Sequence, residues 1–369
     1  MSYPPAPAGP RILVAPLDWG LGHATRCIPI IHRLRSRGTT VLLAGSGASG
    51  NVLREAFPDL PFHPLPGHEV RYSRGASGLV WKILQQLPQL ARTVEAEHRW
   101  LRDFVQQQGI DAVISDNRYG LHHPALPTVF ITHQLGIRTP LGSMGNNLLR
   151  RYHYRLIGRF GACWVPDGAA PGLSGLLGHP GTLPDIPTRY IGPLSRFQKT
   201  DAAPAQDLVV LLSGPEPQRG IWEAQLLPQL TKYPGSVLLV RGLPQEKAMV
   251  TTGNLTSVGH LPAPELQAAV ADARIVVARC GYSTVMDLAA LGQKSILVPT
   301  PGQTEQEYLA RHLSASGFAL CLPQKNFNLQ EALAASERFP YQFLPPAENT
   351  LLDAAIDALL RELKVDREA

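Results

Sequence analysis

Short apolar runs of strand length recur along this chain, and stretches with helical spacing separate them. Residues 11–15 (RILVA), 40–44 (TVLLA), 111–115 (DAVIS) and 128–132 (TVFIT) form one series. Residues 207–212 (DLVVLL), 236–241 (SVLLVR), 275–278 (IVVA) and 295–299 (SILVP) form a second. Runs this short and this apolar suit strands covered on both faces, which means parallel strands joined by crossover helices. Helices are predicted at about 24–37, 222–230, 265–272, 283–291 and 306–315, and over 79–107 with a break or kink at Pro88. The alternation predicts an α/β chain of two Rossmann-like, doubly wound domains. Polar, aperiodic residues 196–206 read as a linker between a first domain at 1–195 and a second at 207–345. Within 346–369, Leu351, Leu352, Ala355, Leu359 and Leu360 mark an amphipathic helix. Ligands of such sheets bind beyond the carboxyl ends of the strands, so the two domains are expected to face a shared cleft.

Composition narrows the function classes. A length of 369 residues fits two domains at roughly 150 each. A hydrophobic share of 44% is ample for two cores and argues against a disordered chain. No apolar run reaches the ~18–20 residues needed to cross a bilayer. The Pro- and Ala-rich residues 1–10 have neither a charged start nor an apolar core, so they read as a leader rather than a signal peptide. Cys27, Cys163, Cys280 and Cys321 stand apart from one another, which suggests neither a zinc site nor a disulfide framework. A reducing cytoplasm is the expected setting. The net charge of +5 is diffuse and no nucleic-acid motif accompanies it, whereas an anionic substrate or membrane surface would suit it. His122 and His123 precede Pro124 without partners at metal-ligand spacing, and no metal site is expected.

The turn after the first strand reads Asp18-Trp19-Gly20-Leu21-Gly22-His23. Gly20 and Gly22 let a ligand approach the main chain. A dinucleotide fingerprint is not completed, because Thr25 stands at the third glycine position and no acidic residue ends the second strand. His23 at the helix start is a candidate general base for an acceptor hydroxyl, and the helix dipole favours its neutral form. Its alternative is a turn cap. Asp116, Asn117 and Arg118 follow the strand at 111–115, and His133 follows the one at 128–132. Asp116 would polarise His23 or bind acceptor. The others are candidate acceptor contacts, and an Asx turn is the alternative for Asp116.

The second half carries a candidate anion site. Gly281, Ser283 and Thr284 open a helix directly after a strand, where free amides and hydroxyls suit a diphosphate. Asp287, one turn on, could hold two ribose hydroxyls. Ser213 and Gly214 lie in another strand-to-helix loop, with Arg219 able to reach a phosphate bidentately. Gln303 and Gln306 lie in a third loop rich in groups for sugar hydroxyls, and the backbone at His260 and Leu261 could pair with a base edge. An N-cap by Ser283 with Asp287 complementing the dipole is the alternative reading.

With Gly281, Ser283, Thr284, Asp287, Val298-Pro299, Gln303 and Gln306 in this order, residues 207–317 resemble the C-terminal domain of family 28 glycosyltransferases of the MurG type. The resemblance implies the GT-B fold, a nucleotide-sugar donor (UDP in most relatives) and no metal or other cofactor. It implies Asp287 on the ribose, Arg219 on the phosphates, Gln306 on the donor sugar, and His260 and Leu261 at the base. The turn from Gly20 to His23 resembles the family's glycine-rich acceptor loop. The chain departs from the family pattern at Ser213-Gly214-Pro215, where Pro215 and Pro217 remove amide donors, and at Asp287, where the family has glutamate. No D-x-D triplet is present, in keeping with a leaving diphosphate neutralised by Arg219 and helix amides. Residues 146–160 form a basic amphipathic helix, suited either to an anionic membrane and a lipid-linked acceptor or to ordinary core packing. The expected activity is inverting transfer of a hexose or hexosamine. The alternatives are a UDP-sugar 2-epimerase, with Asp116 and Glu305 for proton transfer, and a non-catalytic nucleotide-sugar-binding subunit.

Overall fold

The computed structural model of the chain describes residues 9–18, 20–65, 79–139, 142–199, 206–246, 248–343 and 350–368. Most of the expected leader, and residues 200–205 of the expected linker, lie outside them. The chain divides into two compact units. Of the described residues, one holds those up to Leu194 together with those from 350 on, and the other holds those from Ser195 to 343.

The first unit is built on β1 (Arg11–Pro16), β2 (Thr40–Gly45), β3 (Phe62–Pro64), β4 (Ala112–Asp116), β5 (Thr128–Ile131), β6 (Ala162–Val165) and β7 (Thr188–Tyr190). They form one sheet in the order β3-β2-β1-β4-β5-β6-β7, and every pair is parallel. Its helices are α1 (Leu21–Ser36), α2 (Gly47–Ala56), α3 (Leu79–Gln108) and α4 (Gly142–Ile157). Strand β1 is buried over Ile12, Leu13, Val14 and Ala15, as a strand covered on both faces must be. Helix α3 is one element through Pro88, so of the break or kink expected there it has no break. Strand order reverses between β1 and β4, whose ends are in register at Pro16 and Asp116. A doubly wound sheet opens its ligand crevice at such a reversal, so the turns after β1 and β4 are the ones to inspect.

The second unit holds β8 (Gln206–Leu211), β9 (Val237–Val240), β10 (Met249–Thr252), β11 (Leu255–Val258), β12 (Ala273–Arg279), β13 (Ser295–Val298) and β14 (Leu320–Cys321). Its order is β10-β11-β9-β8-β12-β13-β14, with β10 antiparallel to β11 and the rest parallel. Helices α5 (Gln218–Leu230), α6 (Ala263–Ala271), α7 (Tyr282–Leu291), α8 (Thr304–Ala315) and α9 (Leu329–Arg338) flank it. Trp222 of α5 is buried among Leu208, Val210, Val277, Ile296 and Phe327. Here the order reverses between β8 and β12, which singles out the loops after Leu211 and Arg279.

Helix α10 (Thr350–Glu368) belongs to the first unit. Its buried stripe is Leu352, Ala355, Ile356, Leu359 and Leu363, whereas Leu351 is exposed. Arg37 beyond α1 fastens it, with Nε donating to Asp357 Oδ1 at 2.5 Å and Nη2 to Asp353 Oδ1 at 2.8 Å. No helix among the described residues is long and apolar enough to cross a membrane. Ile356→Ala is expected to destabilise the first unit by about 2–5 kcal/mol, as for other buried aliphatic truncations. In hydrogen exchange, protection should fall across β1 and α1 while β8 and β12 keep theirs.

Candidate functional site

In the first unit the site grows from one dihedral. Gly20, the residue before α1, has φ 135°, and nothing lies within 4 Å of where a Cβ would stand. The backbone angle, not crowding, therefore calls for glycine. The buried Ser49 of α2 holds this turn by donating to Leu17 O at 3.0 Å and Gly20 O at 2.9 Å. The turn starts α1 so that His23, Arg26 and Cys27, spaced i, i+3 and i+4, share the face that meets the end of β4.

Asp116 is wholly buried there. A carboxylate without water is tolerable only when paired, since leaving it alone costs several kcal/mol. Arg26 pairs with it at both oxygens, Nε to Oδ2 and Nη2 to Oδ1. His23 Nδ1 lies 2.8 Å from Oδ1, and Cys27 Sγ lies 3.7 Å from Oδ2. Burial alone would raise the carboxyl's pKa, but Arg26 and His23 hold it well below the usual carboxylate range. Burial first, then the Arg26 charge, lowers His23 below its ordinary value, with Asp116 opposing. The His23 side chain keeps 18% exposure, so it is the member of the cluster that a substrate can reach. His133, beyond β5, is buried with Nδ1 3.2 Å from Arg26 Nη1.

The other first-unit candidates have structural engagements. Asn117 takes a left-handed conformation at φ 56° and its amide donates to Ile131 O at 3.1 Å. Gly22 O accepts from Thr25 Oγ1 at 3.1 Å. Arg118 points inward. Its guanidinium donates to Pro16 O at 2.7 Å, Glu97 Oε1 at 2.7 Å and Ser46 Oγ at 3.2 Å. Glu97 also accepts from the Gly120 amide at 3.1 Å, so this buried pair braces the turns after β1 and β4 instead of facing a ligand. Arginine in a loop reads the same in sequence either way; the partner on α3, twenty-one residues upstream, is what distinguishes them.

In the second unit, α7 begins without a side-chain cap or an acidic residue in its first turn. The first intrahelical bond runs from Val285 N to Gly281 O, which leaves the Ser283 and Thr284 amides at the helix mouth. No hydrogen bond of the Ser283 or Thr284 hydroxyls occurs among the described residues. An uncapped helix start with unused hydroxyls has groups that can bind an anion. Asp287 accepts from Ser195 Oγ at 2.6 Å, a residue next to the expected linker. Burial pushes its carboxyl up to about 6, against the Ser195 hydrogen bond and the Arg196 charge.

The loop after β8 exposes Ser213 and Gly214, the latter at φ 97°. Arg219, in the first turn of α5, meets Glu216 Oε1 at 2.6 Å through Nε and Glu223 Oε2 at 2.6 Å through Nη1. Glu216 also accepts from the Gly220 amide at 3.1 Å. A carboxylate thus sits on the guanidinium and amide that a phosphate would use. Gln306 accepts from Thr300 N at 2.8 Å and donates to Gln303 Oε1 at 2.6 Å, which fixes the loop after β13. Leu261 packs against Val240 and Val258, and the neighbouring His260 is half-buried. Arg279 escaped the sequence reading. It is buried at the end of β12 over the Trp222 ring at 5.1 Å, and donates to Gln218 O at 3.2 Å and Pro299 O at 3.4 Å. It thereby ties together the loops after β8, β12 and β13, and burial without a carboxylate lowers its pKa to about 10. Among the described residues no group of three or more His, Cys, Asp or Glu could hold a metal ion.

Comparisons with known proteins agree with this architecture. Residues 237–357 match the glycosyltransferase family 28 C-terminal domain. In Methylobacterium radiotolerans, a UDP-N-acetylglucosamine--N-acetylmuramyl-(pentapeptide) pyrophosphoryl-undecaprenol N-acetylglucosamine transferase is 43% identical over 96 residues, 26% of this chain and 24% of that one. The same-named protein of Exiguobacterium sibiricum is 25% identical over 85% of each chain. The stretches matched in the first relatives therefore span only about a fifth of their length. Among solved structures, the calicheamicin glycosyltransferase CalG4 superposes with TM-score 0.63 at 15% identity, covering 96% of this chain and 99% of that one. MurG of Acinetobacter baumannii does so with TM-score 0.53 at 15% identity, covering 97% and 94%. The two sheets are those of the GT-B fold, and the family 28 match runs from β9 of the second unit into α10.

A raised Asp287 pKa has a signed consequence. Between the unfolded value of roughly 4 and the folded value of about 6, the native state holds a proton that the unfolded chain has released. That stabilisation is present at low pH and is lost as pH rises through about 6. Asp287→Asn should remove this loss, so the melting temperature should fall less than in the parent between about pH 5 and about pH 7.5. An unchanged slope in thermal melts would contradict the assignment.

Proposed function

We propose that this chain, a GT-B glycosyltransferase, moves a sugar from a nucleotide-diphosphate donor to an acceptor hydroxyl, with inversion and without a metal. The observation that carries the reading is the uncapped start of α7 at the strand-order reversal of the second sheet, with unused Ser283 and Thr284 hydroxyls and Asp287 one turn on. The amides and hydroxyls there would hold the diphosphate, and Asp287 the ribose. Arg219 would exchange Glu216, 56% exposed, for a phosphate oxygen as negative charge develops on the leaving group. Gln303 and Gln306 would bind the donor sugar, and the backbone at His260 and Leu261 the base. The relatives' names favour UDP and an N-acetylhexosamine. In the first unit, neutral His23 would take the acceptor's proton at Nε2 with Asp116 behind it. Direct displacement at the anomeric carbon then inverts its configuration.

The acceptor side is supported by the surface of α4. Met144, Leu148 and Tyr152, spaced i, i+4 and i+8, are 86%, 70% and 43% exposed. Arg151 and Arg155 flank this stripe and are also exposed. An exposed apolar stripe with cations beside it suits the headgroup region of an anionic membrane. On this reading the enzyme works at a cytoplasmic membrane face on a lipid-linked acceptor.

Thermal shift against a panel of nucleotides and nucleotide sugars is the direct test, because a ligand of the native state raises the melting temperature. A UDP or UDP-sugar shift is expected, and Asp287→Ala should abolish it. His23→Ala should keep the shift and lower turnover by about 100-fold or more. The absence of any nucleotide-dependent shift would remove the donor site. Leu148→Asp should weaken cosedimentation with anionic vesicles while leaving the nucleotide shift unchanged, and undiminished sedimentation would remove the membrane contact.

A further inference from the structure

A histidine beside a lone buried carboxylate has a defect as a base. The carboxylate favours the imidazolium, and a ring already protonated at neutral pH cannot accept another proton. In this chain a third group stands between the two. Arg26, buried and one helical turn after His23, takes both oxygens of Asp116, and its Nη2 lies 2.9 Å from His23 Nδ1. Around His23 the titratable or charged groups are Arg26 and Cys27 from α1, Asp116 from β4 and His133 from beyond β5. Asp116 supplies the negative charge in this set and Arg26 neutralises it.

The distances also bring two groups of opposite hydrogen-bonding character to one ring nitrogen of His23. A guanidinium only donates and a carboxylate only accepts, and His23 Nδ1 is within reach of both. As a lone pair, Nδ1 would face Asp116 Oδ1 at 2.8 Å, acceptor against acceptor and next to a full negative charge. As an N–H it makes a charge-assisted hydrogen bond. As a lone pair it would instead accept from Arg26 Nη2, 2.9 Å away, so the place of the hydrogen turns on which of the two holds Nδ1, and Arg26 is already engaged by both Asp116 oxygens. The same guanidinium places Nη1 3.2 Å from His133 Nδ1.

We propose that Arg26 is a positioning residue for the transfer reaction, fixing His23 as a neutral imidazole with its hydrogen on Nδ1 and its lone pair on Nε2. It does so by holding the Asp116 carboxylate in one plane and offsetting its charge. The proposal rests on His23 being the base, and it adds that the base depends on a cation that touches no substrate. The proton taken from the acceptor hydroxyl goes to Nε2. The resulting imidazolium donates from Nδ1 to Asp116, and Arg26 limits its lifetime by disfavouring the second positive charge.

The test is histidine-selective nitrogen NMR on the free protein, with His23 assigned by loss of its signal in His23→Gln. In the parent the expected state is a single neutral tautomer with the hydrogen on Nδ1, titrating below an ordinary histidine. Arg26→Gln should raise the His23 pKa by about one unit or more and move the acid limb of the kcat/KM profile up with it. Arg26→Lys keeps the charge but cannot span both oxygens. It should keep the low pKa, admit the other tautomer, and lower kcat about 10-fold with little change in KM. Should Arg26→Gln not fold, because Asp116 is left unpaired, the Lys variant decides alone. A single unchanged tautomer there overturns the proposal, as does a parent His23 with its hydrogen on Nε2 or an unmoved titration in Arg26→Gln. These titrations need no substrate. A failure of sugar transfer would overturn the assigned activity and leave them standing, whereas an unmoved titration in an active enzyme would overturn the role of Arg26 alone.

Discussion

Parallel strands buried on both faces must be crossed over by helices, and this places every strand-to-helix turn of a sheet on one edge. Reversal of the strand order then leaves a gap among those turns. In the first unit the gap lies between β1 and β4, and in the second between β8 and β12. Each carries polar groups that the strands themselves could not tolerate. At the first gap a buried ion pair holds a histidine. At the second, a helix starts with its amides and hydroxyls unused. The chemistry follows from where the sheet lets polar groups survive.

The two sites handle charge in opposite ways. Around Asp116 the protein supplies its own counter-ion, and Arg26 leaves little electrostatic work for a ligand. Around α7 no side chain caps the first turn, and Arg219 is held by Glu216 and Glu223 in the meantime. A self-satisfied cluster suits a base that must keep one protonation state. An unsatisfied one suits a substrate that arrives with negative charge.

Much of the fold was legible because burial on both faces writes itself into a sequence as short apolar runs. Where that signal lapses, the elements were missed. β3 is three residues ending in proline, β10 is exposed at all four positions, and α2 contains two glycines in ten residues. The site was legible by residue type and place but not by partnership. His23 and Asp116 stood out from turns 93 residues apart, and only the sheet register makes them neighbours. Arg26 gave no signal, since a charged residue on an amphipathic helix reads as solvated until the buried acid opposite is known. For the converse reason the sequence did not show that Arg118 is held by Glu97, twenty-one residues upstream on α3, or that Arg219 is held by Glu216 and Glu223.

The return of α10 to the first unit has a consequence during synthesis. Leu352, Ile356 and Leu359 complete a body whose sheet is finished by Tyr190. A ribosome emits the whole of the second unit before those side chains emerge. The earlier-made body therefore waits for residues 350–368, which meet α1. The later-made one has all its strands in hand first. A nonsense codon near residue 350 would thus injure the opposite end of the polypeptide from the one it shortens.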